Sequence, residues 1–593
     1  MVMLFKEVAE AMEQVESTTK RLEMTSLLVD LFKKASPAEL EKLVYLLQGK
    51  VRPDYEGLEF GVAEKLVLRS LSEFSGIDDE TVEKLYKEAG DLGSAAEILA
   101  QRKVQKKLLS KEPTLTDVYE KLYRLARLGG KGSVTQKTSL LSSLLIDMSP
   151  REAKYAVRIV TGRLRLGIAD YTILDAIAQA FTGDKSNRPI IERAYNISSD
   201  LGAVARAIAE KGLDGVRDFK ITVGKPIRPM LAERLTTVQE VLEKIGGEAA
   251  AEYKLDGERV QIHKNDDSVL LFSRRLENIT SHYPDAIEMV RRNVKAREAV
   301  LEAECVAINP DTGELLPFQE LMHRRRKYGI EEAMKEYPVA LFFFDLLYAD
   351  GVDYTEKPYL ERREALKNVI IEDERVKLVK QIISRDPSQI EVFMEEAISE
   401  GCEGLVLKDL KAPYRAGARE WSWIKLKREY KAEVADTFDL VIVGGFHGRG
   451  KRAGKYGAYL LAAYDPDEDV FRTFAKCGTG FTDEDLATFT ELMNNYKISH
   501  KHPRVDSKIE ADVWFEPRIV IEIIASEITL SPVHTCGLNA VRAGSGLAGR
   551  FPKYTGRLRD DKAPEQATTV KEILEMYRSQ LKKIEEEAAG EKP

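Results

Sequence analysis

The sequence places a lysine inside a short polar turn, Lys254-Leu-Asp-Gly-Glu-Arg259. A lysine acts as a nucleophile only when its amine is neutral, and at an ordinary pKa of about 10.4 only about one amine in a few thousand is neutral at pH 7. The nearby cations Arg259 and Arg274 could lower that pKa and so activate Lys254. Gly257 would let the backbone pass close to a phosphate group. The alternative for so short a motif is a surface turn with random charges.

A second chemical feature is the strict alternation in Trp423-Ile-Lys-Leu-Lys427. Side chains on a strand alternate between the two faces of the sheet, so Ile424 and Leu426 are predicted to face the core. Lys425 and Lys427 then share the opposite face. Two lysines one pleat apart form a cationic pair suited to a polyphosphate, although a solvated strand face is the alternative for this segment taken alone.

Three glutamates lie in otherwise apolar, strand-like segments: Glu302 and Glu304 in VLEAECVAI, and Glu403 in CEGLVLK. A buried carboxylate is costly unless it pairs with a cation or binds a metal. Ligand sets made only of oxygens suit Mg2+, which commonly accompanies nucleotide phosphates. The residues alone therefore predict either a magnesium site or salt bridges to lysines at the strand ends.

Two further segments carry charges at suggestive spacing. Arg559-Asp-Asp-Lys562 combines cations and acids in one predicted loop, a pattern that is typical of a solvated turn. The glycine-rich run Gly445–Arg452 nearly fits the phosphate-binding pattern GxxxxGK[ST], but Arg452 stands where a magnesium-binding Ser or Thr is needed. We therefore expect this run to form a hairpin.

Periodicity divides the chain into three regions that would position these groups. Apolar residues at helical spacing run through residues 1 to about 220, and Ser149-Pro150 is a favourable helix start because serine caps and proline suits the first turn. From about residue 248 onward, short strands alternate with turns and a few helices. A third region begins near Glu429, with short strands and glycine-rich turns that indicate a small barrel, followed by a helical tail.

The composition excludes several classes of protein. Lys and Arg number 90 and Asp and Glu number 98, a net charge of -8, so the chain is not a uniformly basic nucleic-acid binder, although a locally basic groove is compatible. The four cysteines are far apart and include no CxxC pair, which disfavours a zinc knuckle or a disulfide framework. Acids occupy the N-terminal segment and no apolar run reaches roughly 18 residues, so we expect a soluble, intracellular protein.

In their order along the chain, these segments resemble the motifs of the covalent nucleotidyltransferases. Lys254–Arg259 matches the KxDG motif, and FSRR around Arg274 matches the next one. LEAECVAI matches the acidic motif, with Glu304 in the key position, and LFFFDLLY matches the aromatic motif, with Phe344 as the adenine-stacking ring. EGLVLK, WIKLK and the final RxDK segment match the remaining three.

Within that superfamily, the sequence is most similar to the replicative ATP-dependent DNA ligases of archaea and eukaryotes, through KPIRPMLAE, KCGTGFTDEDL and RFPKYTGRLRDDKAPEQATT, and through GRLRLGIAD in the helical half. The short N-terminus is typical of the archaeal branch. The resemblance implies a multidomain fold: an all-α DNA-binding domain over residues 1–225, an α+β adenylation (nucleotidyltransferase) domain over 226–428, and a β-barrel OB-fold domain with a C-terminal helix over 429–593.

The resemblance also implies a reaction in three steps. Lys254 attacks the α-phosphate of ATP and expels pyrophosphate, AMP then moves to the 5′-phosphate at a nick, and the 3′-hydroxyl finally displaces AMP. The residues implied to contact the nucleotide are Glu252, Arg259, Arg274, Glu304, Phe344, Arg419, Lys425, Lys427, Arg559 and Lys562. Glu304 and Glu403 are implied to hold Mg2+, with Mn2+ as the alternative metal. Arg559, Asp561 and Lys562 would cover ATP in the first step, before the domain swings about a pivot near Lys427–Lys431.

The implied partner is nicked double-stranded DNA, in replication, repair and recombination. A ligase must accept any sequence, so DNA contacts are expected mostly at phosphates. Lys131 and the run Arg324–Lys327 are candidates for such contacts, with solvated loops as the alternative. Gln105–Leu109 resembles a shortened sliding-clamp-binding peptide in which leucines replace the usual aromatics, and an ordinary helix surface is equally compatible. We expect a monomer in the cytoplasm, associated with the nucleoid and not with a membrane.

Three other classes of protein remain as alternatives. The first comprises other enzymes of the same superfamily: an RNA ligase, a capping guanylyltransferase or an NAD-dependent DNA ligase. Capping enzymes lack the long helical region, and NAD-dependent ligases carry a zinc-binding cysteine cluster that this chain does not have. The second is a DNA-acting ATPase built on Gly445–Arg452, and the third is a scaffold without activity that bridges DNA and a clamp.

Overall fold

The computed structural model of this protein describes residues 2–102, 112–326, 329–427, 437–448, 452 and 454–590. The chain forms two compact units, of which the first consists of Met1–Pro229 with Phe272–Asn278 and the second of Met230–Leu271 with Ile279–Pro593. Within the described residues, every helix is too short or too polar to cross a lipid bilayer.

The first unit is built from helices whose starts follow the capping rules. The predicted start at Ser149-Pro150 is confirmed: the Ser149 hydroxyl accepts a hydrogen bond from the backbone N–H of Glu152, and the helix begins at Pro150. Ser36 and Pro37 form the same arrangement. The described helices are α1 Phe5–Glu16, α2 Arg21–Lys34, α3 Pro37–Leu47, α4 Glu64–Ser75, α5 Asp79–Ala89, α6 Leu92–Arg102, α7 Leu115–Arg127, α8 Ser133–Ile146, α9 Pro150–Val160, α10 Asp170–Thr182, α11 Arg188–Ser198 and α12 Leu201–Arg217.

The second unit begins with two sheets and the helices that cover them. One sheet has five strands in the order β1-β11-β10-β2-β9, and the other has β4-β3-β5-β6-β7 with β8 paired to β6. The elements are β1 Leu231–Leu235, α13 Val238–Ile245, β2 Ala249–Lys254, β3 Glu258–Asn265, β4 Ser268–Ser273, α14 Pro284–Asn293, β5 Glu298–Ala307, α15 Phe318–Leu321, α16 Ile330–Glu336, β6 Val339–Ala349, β7 Val352–Asp353, α17 Tyr359–Val369, β8 Val376–Leu378, β9 Gln381–Ser384, α18 Pro387–Ser399, β10 Gly404–Lys408 and β11 Arg419–Lys427.

A curled, mostly antiparallel sheet forms the rest of the second unit. Its strands run in the order β15-β17-β12-β13-β14-β16, and β18 pairs with both β12 and β21. The elements are β12 Thr437–His447, β13 Tyr456–Asp465, β14 Val470–Cys477, α19 Asp483–Asn494, β15 Lys497–Ile498, β16 Val505–Asp506, β17 Val513–Phe515, β18 Val520–Ile524, β19 Glu527–Ser531, β20 Gly546–Arg550, β21 Lys553–Leu558 and α20 Val570–Gly590. The predicted fold class is therefore confirmed: an all-α region, an α+β region and a β-rich region with a C-terminal helix.

The described residues of the glycine-rich run Gly445–Arg452, which are 445–448 and 452, belong to the β12–β13 hairpin, as predicted. Strand β12 pairs antiparallel with β13, so a strand and not a helix follows the run. A phosphate-binding loop of the GxxxxGK[ST] type needs a helix at that place. The buried side chain of Arg452 donates to the carbonyl oxygens of Gly457 (3.0 Å) and Gly478 (2.7 Å), which fixes the base of the hairpin. The ATPase alternative is wrong for this segment.

Candidate active site

Lys254 lies at the end of β2 and is paired with an acid from the neighbouring strand. Its ammonium nitrogen donates to a carboxylate oxygen of Glu403, and the backbone N–H of Glu403 donates to the carbonyl of Lys254 (2.8 Å). Strands β2 and β10 pair antiparallel with Gly404 opposite Lys254, which places Glu403 beside the lysine. The contact that the structure describes for the Lys254 side chain is thus with an acid, and activation of Lys254 by neighbouring arginines stays a prediction.

The register of the five-stranded sheet gathers polar residues on one face. Residues directly opposite each other on neighbouring strands point to the same face. Glu252 lies opposite Val406, which in turn lies opposite Lys425, so these residues share the face of Lys254. The other face belongs to the core. The predicted alternation in β11 is confirmed, since Ile424 and Leu426 are buried at 0% and 1% exposure.

The second sheet contributes Arg259 from β3 and two glutamates from β5. Arg259 lies directly opposite Glu304. Its guanidinium donates to the buried carboxylate of Glu302 (2.7 Å) and to the carbonyl of Met230 (2.7 Å). For Glu302, the salt-bridge alternative is therefore correct, although the partner is an arginine of the adjacent strand and not a lysine at a strand end.

Charged side chains of both sheets lie close enough to Glu304 to change its pKa. Loss of hydration raises the pKa of Glu304 to about 7, the charges of Lys254 and Arg259 act to lower it, and the carboxylate of Glu403 raises it. Burial and Glu403 also raise the pKa of Asp256, whose carboxylate accepts from the backbone N–H of Phe318 (3.3 Å). Three carboxylates thus lie near one another beside Lys254.

These carboxylates offer oxygen donors of the kind that a divalent cation binds. Burial, and after it the charge of Glu403, raises the pKa of Glu304, and a bound Mg2+ would offset the cost of its negative charge. In the described part of the chain, no three His, Cys, Asp or Glu side chains are already arranged as a metal site. A metal here would therefore need other ligands as well, such as water or phosphate oxygens.

An aromatic pocket lies next to these charges and is anchored by a lysine that sequence analysis missed. Lys408 is 1% exposed, and its ammonium nitrogen lies 2.7 Å from Glu252 and 4.3 Å from the ring centre of Trp423. Phe344 lies edge-to-face with Trp423, with ring centres 6.2 Å apart. Burial lowers the pKa of Lys408, and Glu252 opposes that shift. The alternation of Leu405 and Leu407 was the signal that could have placed Lys408 on the polar face.

The other residues predicted to contact the nucleotide lie on β11 and in the turn after β4. Arg419 is exposed at the start of β11, and Lys425 is half-buried. Arg274 is exposed in the turn after β4, within the segment Phe272–Asn278 that belongs to the first compact unit. The backbone of Lys427 lies opposite Gly404.

Arg559 and Lys562 form a cluster of their own in the C-terminal region. Their acidic partners among the described residues are Asp439, Asp561 and, at 3.9 Å from Arg559, Glu522. The structure does not show either cation in contact with Lys254. The proposed pivot near Lys427–Lys431 falls mostly in residues 428–436, which lie outside the described part of the chain.

The C-terminal region nevertheless docks close to the Lys254–Glu403 pair. The guanidinium of Arg550 donates to the carbonyl oxygen of Cys402 (3.1 Å), immediately before Glu403. Arg542 forms an ion pair with Glu395 of α18, and the Ser545 hydroxyl donates to the same carboxylate (2.7 Å). A surface of the C-terminal region that does not contain Arg559 and Lys562 therefore faces the segment before Glu403.

One predicted DNA contact is wrong, and others lie outside the described residues. Arg324 is fully buried and binds Asp285 (2.6 Å), so it cannot reach DNA. Arg325 forms an ion pair with Glu258 but remains exposed, as does Arg326, so their contacts with DNA stay predictions. Lys131 is exposed, as a phosphate contact requires. Lys327 and the predicted clamp-binding segment Gln105–Leu109 lie outside the described residues.

The structure gives a reason for glycine at position 257 that the sequence analysis did not. A Cβ at Gly257 would overlap the carbonyl oxygen of Cys305 and come within 2.9 Å of Val306 and 3.0 Å of Glu304. Close packing against β5 therefore requires a residue without a side chain at position 257, and the approach of its backbone to a phosphate stays a prediction.

Gly257→Ala is therefore expected to lower the free energy of unfolding by about 1–3 kcal/mol, because the packed strand must move. Urea unfolding measures this change. Gly129→Ala is the matched control, since a Cβ at Gly129 meets nothing within 4 Å and the backbone there does not have a positive φ. Equal stabilities of the two variants would contradict the packing explanation.

Comparison with known proteins places most of the chain in characterised families. The family model for the DNA ligase N terminus matches residues 4–178, that for the ATP dependent DNA ligase domain matches 229–427, and that for the ATP dependent DNA ligase C terminal region matches 452–562. DNA ligase 2 of Thermofilum pendens is 57% identical, covering 97% of each chain. The DNA ligase of Nitrosopumilus maritimus is 52% identical, covering 98% of this chain and 99% of that protein.

Proposed function

Because the chain belongs to the ATP-dependent DNA ligases, we propose that it seals nicks in duplex DNA through AMP carried covalently on Lys254. The observation that carries the proposal is the position of Lys254, paired with Glu403 where carboxylates, cations and an aromatic pocket from two sheets converge. In this proposal, residues 1–225 bind DNA, 226–428 carry out adenylation and 429–593 form the OB-fold domain. The cellular setting is DNA replication, repair and recombination.

The aromatic pocket is suited to the adenine base. Phe344 supplies a ring face, and Trp423 and Lys408 line the same space. Glu252 presents a carboxylate to accept from the exocyclic amine of adenine, and Lys408 holds that carboxylate in place. Guanine presents an acceptor at that position, so the pocket favours ATP over GTP.

The triphosphate then extends toward the cations. Arg259 would approach the ribose or the phosphates, and Lys425, with Arg274, Arg419 and Lys427, would spread the charge that grows on the phosphoryl oxygens. Magnesium held by Glu304 and Glu403, directly or through water, would shield the phosphates. In its neutral form, the amine of Lys254 attacks the α-phosphate. The P–N bond forms as the P–O bond to the pyrophosphate leaving group breaks, and a proton passes from the nitrogen to solvent.

The later steps use the docked surface of the C-terminal region. AMP passes to the 5′-phosphate at the nick, and the 3′-hydroxyl displaces it to form the phosphodiester bond. Arg559 and Lys562 act in the first step, whereas the arrangement with Arg550 against Cys402 and Arg542 against α18 leaves them on another face. We infer that this arrangement corresponds to the DNA-bound steps.

The experiment that tests the proposal is incubation with Mg2+ and ATP labelled at the α-phosphate. We expect an acid-labile AMP adduct, mapped by mass spectrometry to the peptide that contains Lys254, which is discharged by nicked DNA as the nick is sealed. Labelling only by GTP or by NAD would favour a different nucleotidyltransferase. Continuous ATP hydrolysis without DNA, or an adduct on another residue, would contradict the proposal.

Phe344→Ala is expected to raise the KM for ATP about tenfold or more, with a smaller change in kcat, because stacking of a base on an aromatic ring contributes about 1–3 kcal/mol. Initial rates of enzyme–AMP formation across ATP concentrations measure the effect. Phe344→Tyr keeps the ring and should behave like the wild type. An unchanged KM in the alanine variant would remove Phe344 from the adenine pocket.

A further inference from the structure

Asp439 on β12 is the shared acidic partner of the two C-terminal cations. Its carboxylate lies 2.6 Å from the ammonium nitrogen of Lys562 and 2.8 Å from a terminal nitrogen of Arg559. The same nitrogen of Arg559 lies 3.0 Å from the other carboxylate oxygen. Only 12% of the Asp439 side chain is exposed, so these contacts are poorly screened by water.

The remaining edge of the Arg559 guanidinium is held by Asp561. Two nearly parallel hydrogen bonds, of 2.9 Å and 2.8 Å, join Arg559 to the two oxygens of Asp561. A paired contact of this kind fixes the plane of the guanidinium. Arg559 is thus held on two sides, by the acid within its own motif and by Asp439, 120 residues earlier in the chain.

The backbone of Asp439 is itself rigidly placed. Its N–H donates to the hydroxyl of Thr568 (2.9 Å), and the N–H of Thr568 donates to its carbonyl oxygen (2.8 Å). Within the sheet, Asp439 lies opposite Glu522 of β18. The carboxylate is therefore a fixed point against which two long, flexible side chains are ordered.

These contacts leave donors available for a ligand. A guanidinium has five N–H donors and an ammonium has three. Arg559 donates four hydrogen bonds to Asp439 and Asp561, two of them from one terminal nitrogen to the two oxygens of Asp439, and Lys562 donates one to Asp439. At least one N–H group of Arg559 and two of Lys562 therefore remain to bind phosphate oxygens without breaking the contacts to Asp439.

We infer that Asp439 is a positioning residue for the first step of the reaction, which orders Arg559 and Lys562 to engage the β- and γ-phosphates of ATP. The inference rests on the proposed function. Ordering two long cationic side chains before ATP binds removes part of the entropy cost of binding. The later steps do not use these cations, so they do not depend on Asp439.

The test is Asp439→Asn, which keeps the shape and removes the charge. At low ATP concentration, enzyme–AMP formation should slow about tenfold, mainly through a higher KM for ATP, and the KM for pyrophosphate in the reverse reaction should rise in parallel. Sealing of a nick that already carries 5′-AMP should stay within about twofold of wild type, which also shows that the variant is folded.

Asp465→Asn is the matched control. Asp465 belongs to the same sheet, is exposed to a similar extent at 15%, and pairs with Arg472 at 2.7 Å. The Asp465→Asn variant should leave both enzyme–AMP formation and sealing of the nick that already carries 5′-AMP unchanged. Wild-type ATP kinetics in Asp439→Asn, or an equal loss of both steps, would overturn the inference about Asp439. Failure of the wild-type protein to form an adduct on Lys254 would instead overturn the proposed function.

Discussion

Replacing Lys254 with alanine is expected to abolish formation of the enzyme–AMP adduct, a loss of at least about 10⁴-fold. The proposed nucleophile is lost, because Lys254 is the lysine that Glu403 of the neighbouring strand holds where the acids and the aromatic pocket converge. Labelling with ATP marked at the α-phosphate measures the loss, and overall sealing of ordinary nicks should disappear with it.

The same variant should keep the last chemical step. A nick that already carries 5′-AMP needs no transfer through the lysine, so Lys254→Ala should still seal it within about tenfold of the wild-type rate. Lys377→Ala, at an exposed position on β8, is the control for loss of a lysine. Retention of the AMP label in Lys254→Ala would exclude Lys254 as the attacking group.

Glu304→Gln is expected to separate stability from activity. Activity should fall at least about 100-fold, because a carboxylate proposed to hold the Mg2+ that shields the phosphates is lost. Stability in a metal-free buffer at pH 8 should increase, with the melting temperature rising by about 2 °C or more. The two measurements are an adenylation assay with Mg2+ and thermal unfolding in EDTA.

The sign of the stability change follows from the pKa of Glu304. Folding raises that pKa to about 7 from an ordinary 4.5, so the folded protein favours the protonated acid. The ionised carboxylate therefore costs stability, and the cost grows as the pH rises from about 4.5 to about 7 and is fully present above it. The stabilising effect of Glu304→Gln should follow the same profile.

Glu302→Gln is the matched control on the same strand, with the opposite expected sign. Glu302 is buried and pairs with Arg259, so its neutralisation leaves the half-buried guanidinium of Arg259 without its counter-charge and should lower the melting temperature. A destabilising effect of Glu304→Gln at pH 8 in EDTA would contradict the raised pKa.

Much of the site could be predicted from the sequence because its chemistry is carried by short segments. The alternation in Trp423–Lys427 is a property of any strand, and it correctly assigned Ile424 and Leu426 to the core. The Ser149-Pro150 helix start is equally local. The order of the motifs along the chain identified the family, which the family models confirm.

The partners of these residues could not be predicted in the same way. Glu403 is 149 residues from Lys254, and Asp439 is 120 residues from Arg559. Nothing in either local segment specifies which distant strand will lie beside it. For the same reason, Arg324 was interpreted as an exposed DNA contact, although the fold buries it on Asp285.

The amino-acid sequence by itself determined which face of a strand each side chain occupies, because helix and strand periodicity depend only on neighbours along the chain. The types of these residues and the order of their motifs also determined the family to which the chain belongs. Only the tertiary structure decided that Lys254 donates a hydrogen bond to Glu403, that Lys408 is buried among aromatic rings and that Gly257 packs against β5. The physical reason is that these contacts arise from the pairing and packing of strands far apart in sequence, whose register is selected by the core as a whole.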